Sequence, residues 1–115
     1  AAPRRRRPCL RGAAYEQAVE RAVRLGASLP SARLQSRALC LCAGLFWAPA
    51  CRRAASALEC LHRALRFADG AVHAEPADVG LFVEVLDEAV RHFAEGSAEV
   101  TAPLLSGLLA LCVQH

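Results

Sequence analysis

The sequence predicts an all-α fold: a solenoid fragment of about five antiparallel helices, forming two to three helical hairpins. Three observations predict it. Apolar residues recur at helical spacing in five segments, each beginning about twenty residues after the last. Short links containing Pro or Gly separate the segments, and consecutive helices on short links pack antiparallel. No segment shows the period of two that a half-buried strand requires. Composition agrees with this reading. Apolar residues make up 55% of the chain and aromatics only 5%. Much of the apolar fraction is alanine, which favours helix and close helix packing.

Residues 1–12, AAPRRRRPCLRG, are expected to form a disordered Arg-rich tail, because two prolines, a glycine and a run of like charge oppose folding. Residues 13–115 are expected to form the solenoid segment. In the first helix, Tyr15, Val19, Ala22, Val23 and Leu25 keep an apolar stripe, with Glu16, Glu20, Arg21 and Arg24 outside it. Glu20 and Arg24 have the spacing of a favourable i,i+4 ion pair. Pro30 stops this helix and Ser31 can cap the next. The second helix runs from Ala32 to Trp47. Its first half exposes Arg33, Gln35 and Arg37, whereas Ala38 to Trp47 carries no charge, as expected of a helix enclosed on several sides.

The third helix spans about Arg52 to Ala68, with Leu58, Leu61, Leu65 and Ala68 in one stripe. Asp69-Gly70 is expected to close it, with Gly suited to a C-cap. Pro76 fits the first turn of a fourth helix. Val79, Phe82, Val83, Leu86, Val90 and Phe93 are read as that helix's apolar face, and Asp87, Glu88, Arg91 and Glu95 as its wet face. Gly96 ends it. The fifth helix has no charge from Val100 to Gln114. Pro103 either sets its start at Thr101 or kinks it. So apolar a helix expects more neighbours than four helices offer. That favours an α-solenoid of the HEAT or armadillo kind over a free-standing bundle.

The formal charge is +3, but Arg4, Arg5, Arg6, Arg7 and Arg11 alone carry five positive charges. The remaining body is slightly acidic, which argues against nucleic acid as its partner. All 14 basic residues are Arg, and Lys, Met, Ile and Asn are absent. This is the signature of GC-rich coding, so the Arg run reads as a solvated tail. With no initiator Met, the chain is expected to be a piece of a longer protein. No apolar run approaches the roughly 20 residues of a bilayer span, and no secretory signal is present, so a cytoplasmic location is expected.

Cys9, Cys40, Cys42, Cys51, Cys60 and Cys112 are read as reduced thiols. Cys40 and Cys42 are one residue apart, and in a helix they diverge by about 200°. That spacing does not fit the paired ligands of a structural zinc site, so no metal is expected. His62, His73 and His92 are read as exposed helix or loop positions, and His115 as terminal. Glu84, Asp87 and Glu88 read as a solvated face. With no Gly-rich phosphate loop and no G-x-S-x-G elbow, no enzyme activity and no cofactor are expected. Protein binding remains. Phe46 and Trp47 end the uncharged helix beside a proline turn, where aromatics serve as anchors for a partner or as wedges between helices.

The run Arg37-Ala38-Leu39-Cys40-Leu41-Cys42-Ala43-Gly44-Leu45-Phe46-Trp47 resembles the R-A-V-C-x-C-A-H-L-F-W segment of the vacuolar protein sorting-associated protein 35 family, the large subunit of retromer. Leu58 to Ala68, LECLHRALRFA, is similar to the family's M-E-C-L-K-K-A-L-K-I-A. Leu81 to Asp87, LFVEVLD, is similar to its L-F-I-E-I-L-N. The resemblance extends from about Tyr15 to Val113. It implies the C-terminal part of a long HEAT-like solenoid, a scaffold without catalysis. Its implied partner is a small subunit with a phosphoesterase-like fold, vacuolar protein sorting-associated protein 29. Other retromer subunits would bind through N-terminal repeats absent from this chain. It implies peripheral association with endosomal membrane from the cytosolic side and a role in retrograde cargo retrieval. Gly44, Leu45, Phe46 and Trp47 become the candidate partner-binding residues. Gly44 stands where the family shows His, and the loop Ala48 to Cys51 is shorter than the family's. The competing readings are a generic helical-repeat interaction module and an Arg-tailed, nucleic-acid-associated helical protein.

Overall fold

The computed structural model describes residues 12–114. They form five helices: α1 (Gly12–Ala27), α2 (Ala32–Trp47), α3 (Ala54–Ala74), α4 (Gly80–Ala94) and α5 (Ala102–Gln114). A 3-10 turn, Pro76–Val79, leads into α4. The expected tail lies outside the described residues except for Gly12, which opens α1; Cys9 and His115 lie outside them too.

Local chemistry sets the helix ends. The Ser31 hydroxyl accepts the Leu34 amide at 3.2 Å and starts α2. The Thr101 hydroxyl does the same for Leu104 at 3.3 Å. Pro103 therefore falls in the first turn of α5, where its missing N–H removes no intrahelical bond. At the end of α4, Gly96 takes a φ of 92°. Its amide donates to Phe93 O and the Ser97 amide to His92 O, closing the helix with a left-handed cap.

Two sequence expectations are corrected. Helix α3 does not close at Asp69-Gly70 but runs on to Ala74. The added turn buries Ala71 and Val72 against Leu81 and Phe82. Burying the valine alone is worth about 1.5 to 3 kcal/mol, more than the ~1 kcal/mol that a mid-helix glycine costs. The second correction concerns the face of α4. Its buried residues are Leu81, Phe82, Val85, Ala89 and His92, while Val83, Val90 and Phe93 are each almost half exposed. The helix carries two apolar stripes, and the one with the small Ala89 faces inward, where it lets neighbouring backbone come close.

Cross-helix bonds give the topology. Tyr15 O–H near the start of α1 donates to Leu45 O near the end of α2, at 2.7 Å. Ser36 in α2 donates to Ala64 O in α3 at 2.9 Å, both groups buried. Arg53 at the start of α3 donates its amide to Phe46 O. Helices α1 and α3 are thus both antiparallel to α2 and parallel to each other. Helix α4 runs parallel to α2, because Arg37 pairs with Glu84 and Trp47 with Glu95. Helix α5 packs on α4, and its Leu111 lines a groove with Leu65 of α3 over Phe82. The result is two offset layers, α1/α3/α5 and α2/α4, as in an α-solenoid.

The core centres on the α2–α3 hairpin, where Leu39, Ala43, Phe46, Ala57, Cys60, Leu61 and Ala64 are buried. The uncharged half of α2 packs on α1, α3 and α4, yet it is not enclosed all round. Leu41 is 72% exposed and Leu45 42%. The expected Glu20–Arg24 ion pair does not form. Both side chains instead line a groove between α1 and α3.

Candidate functional site: the C-terminal end of helix α2

The four candidate residues sit on the last turn of α2, and successive helical positions send them in different directions. Trp47 is 5% exposed. Its ring stacks on His92 of α4 with centroids 5.5 Å apart and planes 27° apart. Its indole N–H donates to Glu95 Oε1 at 2.9 Å. The Arg52 guanidinium lies 4.1 Å from the centre of the same ring and pairs with Glu95 at 3.3 Å. Arg52 has a φ of 50°, a left-handed conformation that costs a non-glycine residue about 1 to 2 kcal/mol. The cation–π contact and the ion pair offset that cost. The loop itself is tight: the Cys51 and Arg52 amides both donate to Ala48 O.

His92 corrects a further expectation. It is completely buried rather than exposed. Its Nε2 lies 2.7 Å from Glu88 Oε2, and its Nδ1 is buried with no hydrogen-bond partner. Glu88 also pairs with Arg91, and Arg91 with Glu95. Burial pushes the Glu88 carboxyl up, but the His92 hydrogen bond and the Arg91 charge outweigh it and hold the group below its ordinary 4.5. The Trp47 hydrogen bond holds Glu95 low as well, aided by Arg52 and Arg91 and opposed by desolvation.

This network lies over Gly44. A Cβ at Gly44 would sit 3.0 Å from Glu88 Oε2 and 3.1 Å from Arg91 Nη2. Glycine therefore lets the Glu88–Arg91 pair close down on α2. Phe46 is 5% exposed and turns the other way, into the wall of the groove between α1 and α3. Of the four, Leu45 alone is exposed. Gly44 and Trp47 are thus gathered under α4, Phe46 under α1 and α3, and Leu45 toward solvent. The residues missed from sequence are His92, Glu88, Glu95 and Arg52. The available signals were the Glu88–His92 i,i+4 spacing and the need of a buried indole N–H for an acceptor.

The cysteines are dispersed. The Cys40 thiol lies 3.6 Å from Glu84 O on the α4 side. Cys42 is buried near Cys60, whose thiol it helps to raise. Burial pushes both the Cys40 and the Cys60 thiol up to about 12, so neither is a nucleophile at neutral pH. Among the described residues no three His, Cys, Asp or Glu side chains converge as a metal-binding set. Among the same residues no helix is long and apolar enough to cross a membrane. Apolar side chains do reach the surface, with Leu34, Leu41 and Leu45 on α2 and Val83, Val90 and Phe93 on α4.

Helices stacked in two layers, with apolar side chains left open along them, are the architecture of an α-solenoid fragment. The chain belongs to the vacuolar protein sorting-associated protein 35 family, whose model matches residues 5–115. That family is a trafficking scaffold, and the chain has a retromer-related role in vacuolar protein sorting. A search of curated proteins finds no match.

Proposed function

We propose that this chain is a non-enzymatic scaffold segment, part of the C-terminal HEAT-like end of a retromer large subunit. It holds the small phosphoesterase-like subunit, vacuolar protein sorting-associated protein 29, for retrieval of cargo from endosomes. The scaffold works in the cytoplasm and reaches endosomal membrane as a peripheral component, through the rest of its complex. The observation that carries the reading is the uncharged ridge of Leu41 and Leu45, left open on α2. Residues four apart on a helix form one continuous apolar surface, and open apolar surface of this kind marks interaction sites. Leu45 makes the contact. Trp47 and Phe46 fix the end of α2 from beneath, and Gly44 keeps the flank of the ridge low enough for the Glu88–Arg91 pair to rim it.

Calorimetric titration tests this, using the chain extended by its preceding repeats and the small subunit from the same organism. Leu41→Asp with Leu45→Asp should weaken binding at least tenfold with little change in melting, because both side chains are already exposed. No binding by the extended, unmutated chain would sink the proposal.

A further inference from the structure

A second surface lies on the other layer. Helices α1 and α3 run parallel and leave between them an open groove of about 450 Å³. Val23, Phe46 and Cys60 give it an apolar lining, and four charges stand on its walls: Glu20 and Arg24 from α1, Glu59 and Arg63 from α3. Each helix presents a Glu and, one turn toward its C-terminus, an Arg. Because the helices are parallel, the two carboxylates share one end of the groove and the two guanidiniums the other. None of the four is in an ion pair with another described residue. Nearby charges of the same helices behave otherwise, since Glu16 and Arg53 pair across from α1 to the start of α3. The groove between α3 and α5 is as large, about 490 Å³, but its charged lining, Arg66 and Asp69, comes from α3 alone.

We infer that the α1/α3 groove docks an amphipathic helix of a partner protein, lying antiparallel to α1 and α3. Its apolar residues fill the space over Phe46, Val23 and Cys60. An acidic residue near its N-terminus meets Arg24 and Arg63. A basic residue one turn later meets Glu20 and Glu59. For an occupant with the acid first, the charge pattern sets the direction, since the same helix lying parallel would bring like charges together. The preferred order, acid first and base second, is also the order that the helix dipole favours in the occupant. A groove with an apolar floor and charged rims is the usual receptor for such a helix. This surface is separate from the Leu41–Leu45 ridge, and the two assignments stand or fall independently.

The probes are two alanine-based helical peptides of about fourteen residues. Each carries two leucines on one face, with either Glu four residues before Arg or Gln at both of those positions. Each is titrated into the full chain by fluorescence anisotropy. The Glu–Arg peptide should bind at least about tenfold more tightly than the uncharged one. Ala55→Trp, which fills the groove from an exposed wall position, should abolish binding of both at unchanged melting temperature. It should leave the small-subunit titration untouched. Reversing the two carboxylates alone, Glu20→Arg with Glu59→Arg, should remove the preference. Equal affinity for the two peptides overturns the inference. So does no binding by either up to about 1 mM, or binding that survives Ala55→Trp. A dimer of the chain that Ala55→Trp dissolves would give the groove to a second copy and overturn it as well.

Discussion

Gly70→Ala separates the observed course of α3 from the course its sequence suggests. If α3 continues to Ala74, Gly70 is an interior helical residue with φ in the ordinary range. A Cβ added there meets no atom within 4 Å. The substitution then removes the backbone freedom of glycine in the unfolded chain and introduces no clash. Interior Gly-to-Ala exchanges are worth about 0.8 to 1 kcal/mol, and Gly70 still lies one turn inside the helix end. For a domain of about one hundred residues, that predicts a melting temperature higher by about 3 to 8 °C. Thermal unfolding followed by circular dichroism at 222 nm reads the shift directly. An unchanged or lower melting temperature would refute the reasoning. It would mean that Gly70 needs a left-handed cap conformation, that α3 ends near Asp69, and that Ala71 and Val72 have no place against Leu81 and Phe82.

The same exchange at Gly26 should go the other way. Its added Cβ would sit 2.8 Å from the Cβ of Ala38, so α1 must move off α2, at a cost of about 1 to 3 kcal/mol by urea unfolding. Trp47→Ala should lower stability by about 3 to 5 kcal/mol, because it empties a buried position and removes the ring on which His92 stacks. A variant that melts normally would contradict the wedge role. The Glu88 carboxyl titrates below its ordinary 4.5 when folded. The stability it adds is therefore present above about pH 4.5 and drains away as pH falls through its folded-state value. Denaturant midpoints measured between pH 3 and 6 should accordingly flatten in Glu88→Gln; an identical acid slope in both proteins would rule this out.

The helices were legible where capping chemistry and apolar period agreed. Ser31, Pro30 and Trp47 bracket α2, and the structure begins and ends that helix at Ala32 and Trp47. For α5 the sequence left two courses open, a late start at Thr101 or a kink at Pro103, and the structure takes the late start. Asp69-Gly70 misled because local turn chemistry was set against a distant burial, that of Val72 beneath Phe82, which no local pattern reveals. The face of α4 was ambiguous by its own composition. Val83, Val90 and Phe93 look like a core stripe, whereas the true one includes Ala89 and His92. The choice depends on how closely neighbouring backbones approach. At the candidate site, the end of α2 stood out through its lack of charge and its aromatics. The side chains that complete it come from 40 or more residues away in the cases of Glu95 and His92, and from a left-handed Arg52. Their pairing is a tertiary fact.

The main helix contacts join partners that are neighbours or next-but-one in the chain, with α2 and α3 at the centre. Such a topology has low contact order, so assembly can nucleate on the α2–α3 hairpin and spread outward quickly. It also makes growth modular. A further hairpin can be added beyond α1 or α5 without altering how the middle is packed, because each unit answers only to its immediate neighbours. A chain built this way can change its length, and so its reach, far more easily than it can change its core.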